Sequence, residues 1–150
     1  MKKILVSLLA LVSAVIISGP VFAEEPLTPT ELKGATVVDN VWVKANYAKM
    51  KVFDVRKKAE FVEAHLPGAI SVPYDEKSAK AVTFDAKKDT FDLSKFPGDK
   101  NAPVIVYCNG PKCWKSYKAS VLLMKAGHKK VYWYRNEGLP GWKSKGYPVE

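Results

Sequence analysis

The chain has little cysteine, little histidine and no acidic residue near its start. Two cysteines, Cys108 and Cys113, in 150 residues exclude a disulfide-dense secreted miniprotein. The only histidines, His65 and His128, form no compact zinc-ligand spacing with those cysteines, so neither a metal nor another cofactor is expected. The apolar stretch at residues 4–17 is 14 residues long, short of the ~20 that a membrane helix needs. No internal repeat and no low-complexity segment occurs. What is present, 47% hydrophobic and 26% charged residues, is an ordinary globular composition. It suffices for one domain with its own core, and it excludes a disordered tail, a coiled coil and a multi-domain enzyme.

The start reads as a secretory signal peptide. Lys2 and Lys3 give a positive n-region, the apolar stretch follows, and Ser18, Gly19 and Pro20 interrupt it. Val21 and Ala23 then stand at the third and first positions before a cut. No cysteine lies nearby, which excludes a lipobox. The expectation is an exported, periplasmic protein cleaved after Ala23, with a single domain in residues 24–150. Membrane attachment is expected only if the segment stays uncleaved. Loss of Lys2 and Lys3 lowers the net charge from +9 to +7. That excess favours small anions. The lysines are scattered, not blocked, and nucleic acid is not an expected partner.

Beyond a proline-containing lead-in at residues 24–35, strand and helix patterns alternate. Residues 35–38 are β-branched and apolar. Asp39 is a candidate N-cap for a helix with Val41, Ala45 and Ala48 at helical spacing. Residues 51–55 predict a strand, 58–66 a helix stopped by Pro67 and Gly68, and 69–73 a short strand. Residues 75–101 predict a long polar loop with one short helix, anchored by Phe84, Phe91, Leu93 and Phe96. Residues 104–107 are a continuous apolar run, as buried parallel strands are. A loop over 108–115, a helix over 116–126 ended by Gly127, a strand over 131–134 and a last helical turn at Trp142 follow. The alternation implies an α/β fold with a mostly parallel sheet and helices on both faces.

One placement carries chemistry. Cys108 directly follows the buried strand and precedes a helix, where open α/β sheets bind ligands. Loop amides and a helix N-terminus together make an anion pocket, and a cysteine there is expected to have a depressed pKa. Asn109, Gly110, Lys112, Cys113 and Trp114 are the candidate anion-binding positions; Pro111 has no N–H to offer.

At these residues the chain resembles the rhodanese family. Asp54-Val55-Arg56, Glu60-Phe61, then His65 through Ile70, and Val72-Pro73 are similar to its first signature. Residues 104–108 are similar to the strand that leads into its catalytic cysteine. Residues 137–142 with Gly146 and Pro148 are similar to its C-terminal signature, normally written with two adjacent glycines. The resemblance covers about residues 27–149 and rests on three ordered motifs.

The resemblance implies a rhodanese-like domain that moves sulfane sulfur, with Cys108 as nucleophile. Its thiolate would take the outer sulfur of thiosulfate, or of a related small anionic donor, as a persulfide. Cyanide, a thiol or a protein acceptor would then receive it, in two-step covalent catalysis. Lys112 would hold the donor's oxyanion end. Asp54, Arg56, His65, Gly68, Gly138 and Trp142 are read as structural signature residues, with Arg56 pairing to Glu60 or Glu137.

The loop departs from the family's pattern. Its serine, Ser116, stands eight positions after Cys108 instead of six, so the loop is two residues longer. Trp114 occupies the position where a phosphatase signature needs arginine, which argues against phosphate chemistry. Trp114 is expected to wall the pocket or face a partner. Cys113 lies outside the family's pattern and is a candidate resolving residue. Two alternatives therefore stand beside the sulfurtransferase. One is a non-enzymatic sulfur carrier or docking module. The other is a Cys108–Cys113 thiol–disulfide or sulfide-releasing device. His128, after Gly127, is expected to be exposed.

Overall fold

The computed structural model describes Gly19 and residues 24–150. Apart from Gly19, the signal-type segment at residues 1–23 lies outside the described residues. Among the described residues no helix is long and apolar enough to cross a membrane.

Five parallel strands form one sheet: β1 (Ala35–Val38), β2 (Lys51–Asp54), β3 (Ile70–Ser71), β4 (Val104–Tyr107) and β5 (Val131–Tyr134), in the order β1-β5-β4-β2-β3. Four α-helices accompany them: α1 (Asn40–Asn46), α2 (Lys58–Glu63), α3 (Trp114–Lys125) and α4 (Gly138–Ser144). The sheet is parallel throughout. The long connection after β3 contains two 3-10 turns, Ala86–Lys88 and Leu93–Lys95.

β4 is central, and all four of its side chains are buried. Each such side chain adds roughly 1.5–3 kcal/mol of hydrophobic stabilisation. Strand alternation divides them between two cores. Val104 and Val106 pack with Phe53, Val131, Ala119 and Leu123 under α3 and the long connection. Ile105 and Tyr107 pack on the opposite face with Val43, Leu66, Tyr134, Leu139 and Trp142. A third cluster joins Trp133 to Trp114 and Tyr117 of α3.

Local chemistry explains most of the element ends. Asp39 caps α1 by accepting the Trp42 N–H at 2.8 Å. Gly127, at φ +93°, ends α3 with paired bonds from Gly127 N to Met124 O and from His128 N to Leu123 O.

Four local expectations need correction. α1 turns Val43 inward, while Val41, Ala45 and Ala48 face solvent, because Val43 meets the core beside Trp142. α2 stops at Glu63 and not at residue 66: Arg56 takes the Ala64 carbonyl, and the His65 backbone pairs both ways with Glu150. α3 begins two residues early, at Trp114, because a turn from Gly110 O to Cys113 N delivers Cys113 as N-cap. His128 is buried and accepts from Lys100 Nζ at 3.0 Å.

Candidate active site

The site lies at the carboxyl end of β4, where the chain leaves the sheet at Cys108 and turns into α3. Gly110, at φ +102°, makes the reversal that lets its carbonyl accept from Cys113 N–H at 3.0 Å. Gly138 supports the turn from below. Its φ is +54°, and a Cβ there would strike the Cys108 carbonyl and lie 2.7 Å from Gly110 N. The adjacent Leu139 N–H donates to that carbonyl at 3.1 Å.

Cys108 is buried, 1% exposed. Its thiol donates to the Cys113 carbonyl at 3.2 Å and lies 3.0 Å from Ser116 Oγ. Trp133 Nε1 donates to the same Oγ at 3.0 Å, leaving the Ser116 hydroxyl proton free to point at sulfur. Cys113 is half-buried, and both cysteines are free thiols.

Burial, then the neighbouring Cys113, pushes the Cys108 thiol well above the ordinary range, against the Ser116 hydrogen bonds. Cys113 is pulled down to about 7 by the neighbouring Cys108 thiol, outweighing its own burial, with the Lys115 charge adding to it. The depressed pKa expected for Cys108 therefore belongs to Cys113. The cause is position. Cys108 sits in the apolar core, while Cys113 is half-buried and feels the Lys115 charge.

Of the remaining loop residues, Asn109 is exposed and donates from Nδ2 to Glu60 Oε1 at 2.5 Å. Lys112 is exposed, with Nζ 3.6 Å from Glu24. Trp114 is buried, stacks edge-on against Tyr117 and donates from Nε1 to Pro26 O at 2.8 Å, so it offers no free hydrophobic face. The lead-in is strapped across the loop at two further points. Thr28 N–H donates to Pro111 O at 2.8 Å, and Arg135 holds Thr28 O at 2.5 Å.

Two shallow hollows flank Asn109. One, of about 290 Å³, is lined by Cys113, Trp114, Lys80, Lys112, Lys115 and Glu76. The other, of about 320 Å³, is lined by Arg56, Glu60, Leu139 and Lys143 and contains neither cysteine. Arg56 is committed elsewhere. It binds Asp54, not Glu60 or Glu137, with Nη2 to Oδ2 at 2.5 Å. Tyr107 OH donates to the same carboxylate at 2.6 Å and accepts from Leu66 N–H. This buried knot ties β2 to β4 directly beneath the loop. His65 is distant from the sulfurs. It stacks on Phe61, its Nδ1–H donates to Phe61 O at 2.9 Å, and Nε2 lies 3.7 Å from Glu150. Gly68, at φ +72°, turns the chain into β3, and its N–H donates to Glu150. Trp142 is fully buried and donates to Pro148 O at 2.7 Å.

The family model for the rhodanese-like domain matches residues 39–145. The chain belongs to the rhodanese-like family. Solved structures show the same fold. The BH2092 protein of Bacillus halodurans is 26% identical, with TM-score 0.58 over 77% of this chain and 76% of that one. A rhodanese-related protein of Thermoplasma volcanium is 20% identical, with TM-score 0.55 over 77% and 97%. A thiosulfate sulfurtransferase of Pseudomonas aeruginosa is 22% identical, with TM-score 0.53 over 77% of this chain and 20% of that one. No curated protein matches the chain significantly.

In this rhodanese-like protein the long connection contributes residues that the sequence pattern did not single out. Lys80 and Glu76 reach the hollow beside Cys113 from a segment 33 to 37 residues earlier in the chain. Lys118 is fully buried in α3, donates to Ser78 O and Ser78 Oγ and forms an ion pair with Glu76, fixing that segment. No local pattern announces such contacts. They follow from the docking of the connection onto α3.

Proposed function

We propose that this rhodanese-like protein is a sulfurtransferase that moves sulfane sulfur from thiosulfate, or a related small dianion, to a thiophilic acceptor. The persulfide that passes to the acceptor is carried on Cys108. One observation supports this above the rest: a thiol at the carboxyl end of the central strand faces the start of α3, with the Ser116 hydroxyl 3.0 Å from its sulfur. A hydroxyl held there by Trp133 can stabilise an anionic sulfur without reorganising during the reaction. In the family, sulfur transfer is the chemistry that such a cysteine performs.

The test is steady-state formation of thiocyanate from thiosulfate and cyanide by the purified protein. Ping-pong kinetics and one added sulfur on the Cys108–Cys113 peptide are expected after incubation with thiosulfate alone. No turnover and no added sulfur would reject the sulfurtransferase.

A second reading is supported by the contact between the two cysteines. The Cys113 thiolate would attack the inner sulfur of a Cys108 persulfide, expel hydrosulfide and leave a Cys108–Cys113 disulfide for an external dithiol to reduce. Release of one sulfide per loaded protein, with loss of two hydrogens across the pair, would favour this reading over transfer.

A further inference from the structure

The sequence scatters its lysines, and the fold gathers six of them. The strands all run in one direction, so their amino ends share one pole of the molecule and the active loop occupies the other. Lys51 opens β2, and Lys129 and Lys130 lead directly into β5. Lys100 precedes β4, and its carbonyl accepts from Lys129 N–H at 2.9 Å. Lys125 ends α3. Lys33 joins the group through Gly34, because a Cβ on that glycine would lie 2.9 Å from Met124 Sδ, beside Lys125. We propose that this amino pole is a docking surface for an anionic phospholipid bilayer, held by charge alone. The inference is independent of the sulfur chemistry at the other pole.

Three features carry the inference. The first is unpaired charge. Among the described residues, none of the six lysines forms an ion pair; the lysines that do, Lys77, Lys80, Lys112 and Lys118, belong to the long connection, the active loop and the buried face of α3. Five of the six are exposed, and Lys100 is partly so, with Nζ 3.0 Å from His128 Nε2. Two carboxylates, Glu31 and Asp99, stand within two residues of the group along the chain, and Asp99 already accepts from Asn101 N–H at 2.9 Å. The second is residue type. Both arginines of the chain, Arg56 and Arg135, are buried elsewhere, and no aromatic side chain of the described residues is exposed. Protein interfaces are enriched in arginine and aromatic anchors and depleted of lysine. Lysines instead suit a diffuse layer of headgroup phosphates, which needs no fixed partner geometry.

The third is separation. β1, β2, β4 and β5 are each four residues long, so the poles stand about 13 Å apart along a strand. Exposed charges act over only ~8 Å at physiological salt, and the carboxylates around the active loop therefore do not cancel the field of the amino pole. The lead-in crosses the active loop at Pro111 and Trp114 and leaves the lysines uncovered. A bilayer held at the amino pole leaves the active loop facing away from it.

The experiment is co-sedimentation of the purified protein with vesicles of phosphatidylglycerol and phosphatidylcholine in equal parts, and with vesicles of phosphatidylcholine alone. Association with the anionic vesicles at about 0.1 M salt is expected, with release at about 1 M, where screening acts over ~3 Å. Each lysine near an anionic surface contributes about five-fold to partitioning, so Lys51→Gln, Lys129→Gln and Lys130→Gln together are expected to weaken association by roughly 30- to 100-fold. Lys77→Gln, Lys80→Gln and Lys112→Gln remove the same charge from the active pole, and a loss below about three-fold is expected there. Equal losses in the two triple variants would assign the binding to net charge and overturn the inference. Equal association with phosphatidylcholine would assign it to apolar insertion of the stretch at residues 4–17 and overturn it as well. No association with the anionic vesicles at about 0.1 M salt would also overturn it, leaving the lysines to an acidic protein or to solvent.

Discussion

Two sets of lysines stand beside the same loop and do opposite things. Lys118 is fully buried; its ammonium donates to Ser78 O and Ser78 Oγ, and the carboxylates of Glu76 and Asp89 lie 2.9 and 3.7 Å away. Two hydrogen bonds and two carboxylates enclose it. Lys80 and Lys112 are respectively 37% and 58% exposed, and each touches one solvent-facing carboxylate. A buried charge enclosed by its own carboxylates can hold a fold but is out of reach of a ligand. A loosely paired charge at a rim contributes little to the fold and remains available. The first set fixes the connection after β3 against α3, and the second faces the hollow that this docking creates.

The sharpest way to break the comparison is to remove Lys118. Lys118→Met leaves the Glu76 and Asp89 carboxylates without their cation, and a loss of about 3–5 kcal/mol in urea unfolding is expected. Lys80→Ala combined with Lys112→Ala is expected to cost less than about 1 kcal/mol, while raising the thiosulfate concentration for half-maximal loading several-fold. Equal stability losses in the two variants would erase the distinction.

A smaller effect comes from acid. Burial would raise the Asp89 pKa, but hydrogen bonds from Ser78, Tyr74 and the Lys77 amide outweigh it and hold the carboxyl at about 2. A folded-state pKa below the unfolded value stabilises the fold above the unfolded pKa. That contribution is lost as pH falls through the folded one. About 2 kcal/mol is therefore expected to disappear between pH 4 and pH 2. Asp89→Asn is expected to flatten the slope of unfolding free energy against pH in that window. An unchanged slope would show that other carboxyls account for the acid sensitivity.

The sequence revealed the fold more fully than the site. Val104 to Tyr107 reads as a buried parallel strand because an uninterrupted apolar run needs cover on both faces, and β4 has it. Asp39 and Gly127 read as helix boundaries because capping is local chemistry. Cys108 is found from sequence by its place after β4. Its proton is not, since the thiol's surroundings depend on Cys113, Ser116 and Trp133, brought together by the turn and by β5. The sequence offers Glu60 or Glu137 as partners for Arg56, yet its partner is Asp54, two residues away, whose carboxylate Tyr107 also holds from another strand. His128 looked exposed after a helix-ending glycine, but packing of Phe96 covers it. Local signals reach as far as one element, whereas ionisation is decided where several elements meet.

The smallest expected effect tests the rim itself. Glu24 and Glu25 lie at the edge of the cysteine hollow, 3.6 Å from Lys112 and 2.8 Å from Lys80. If those lysines draw in the donor, the two carboxylates compete with it. The double substitution Glu24→Gln and Glu25→Gln is then expected to lower the thiosulfate concentration for half-maximal loading about two- to three-fold at low ionic strength, with the loading rate at saturation unchanged. The gain is expected to vanish near 0.5 M salt, where screening acts over roughly 4–5 Å and both proteins present the donor with nearly the same field. A gain that survives salt would come from rearrangement of the Pro26–Trp114 contact instead of charge. No gain at low salt would mean that the lysines do not bind the donor, and the contrast with Lys118 would then reduce to burial alone.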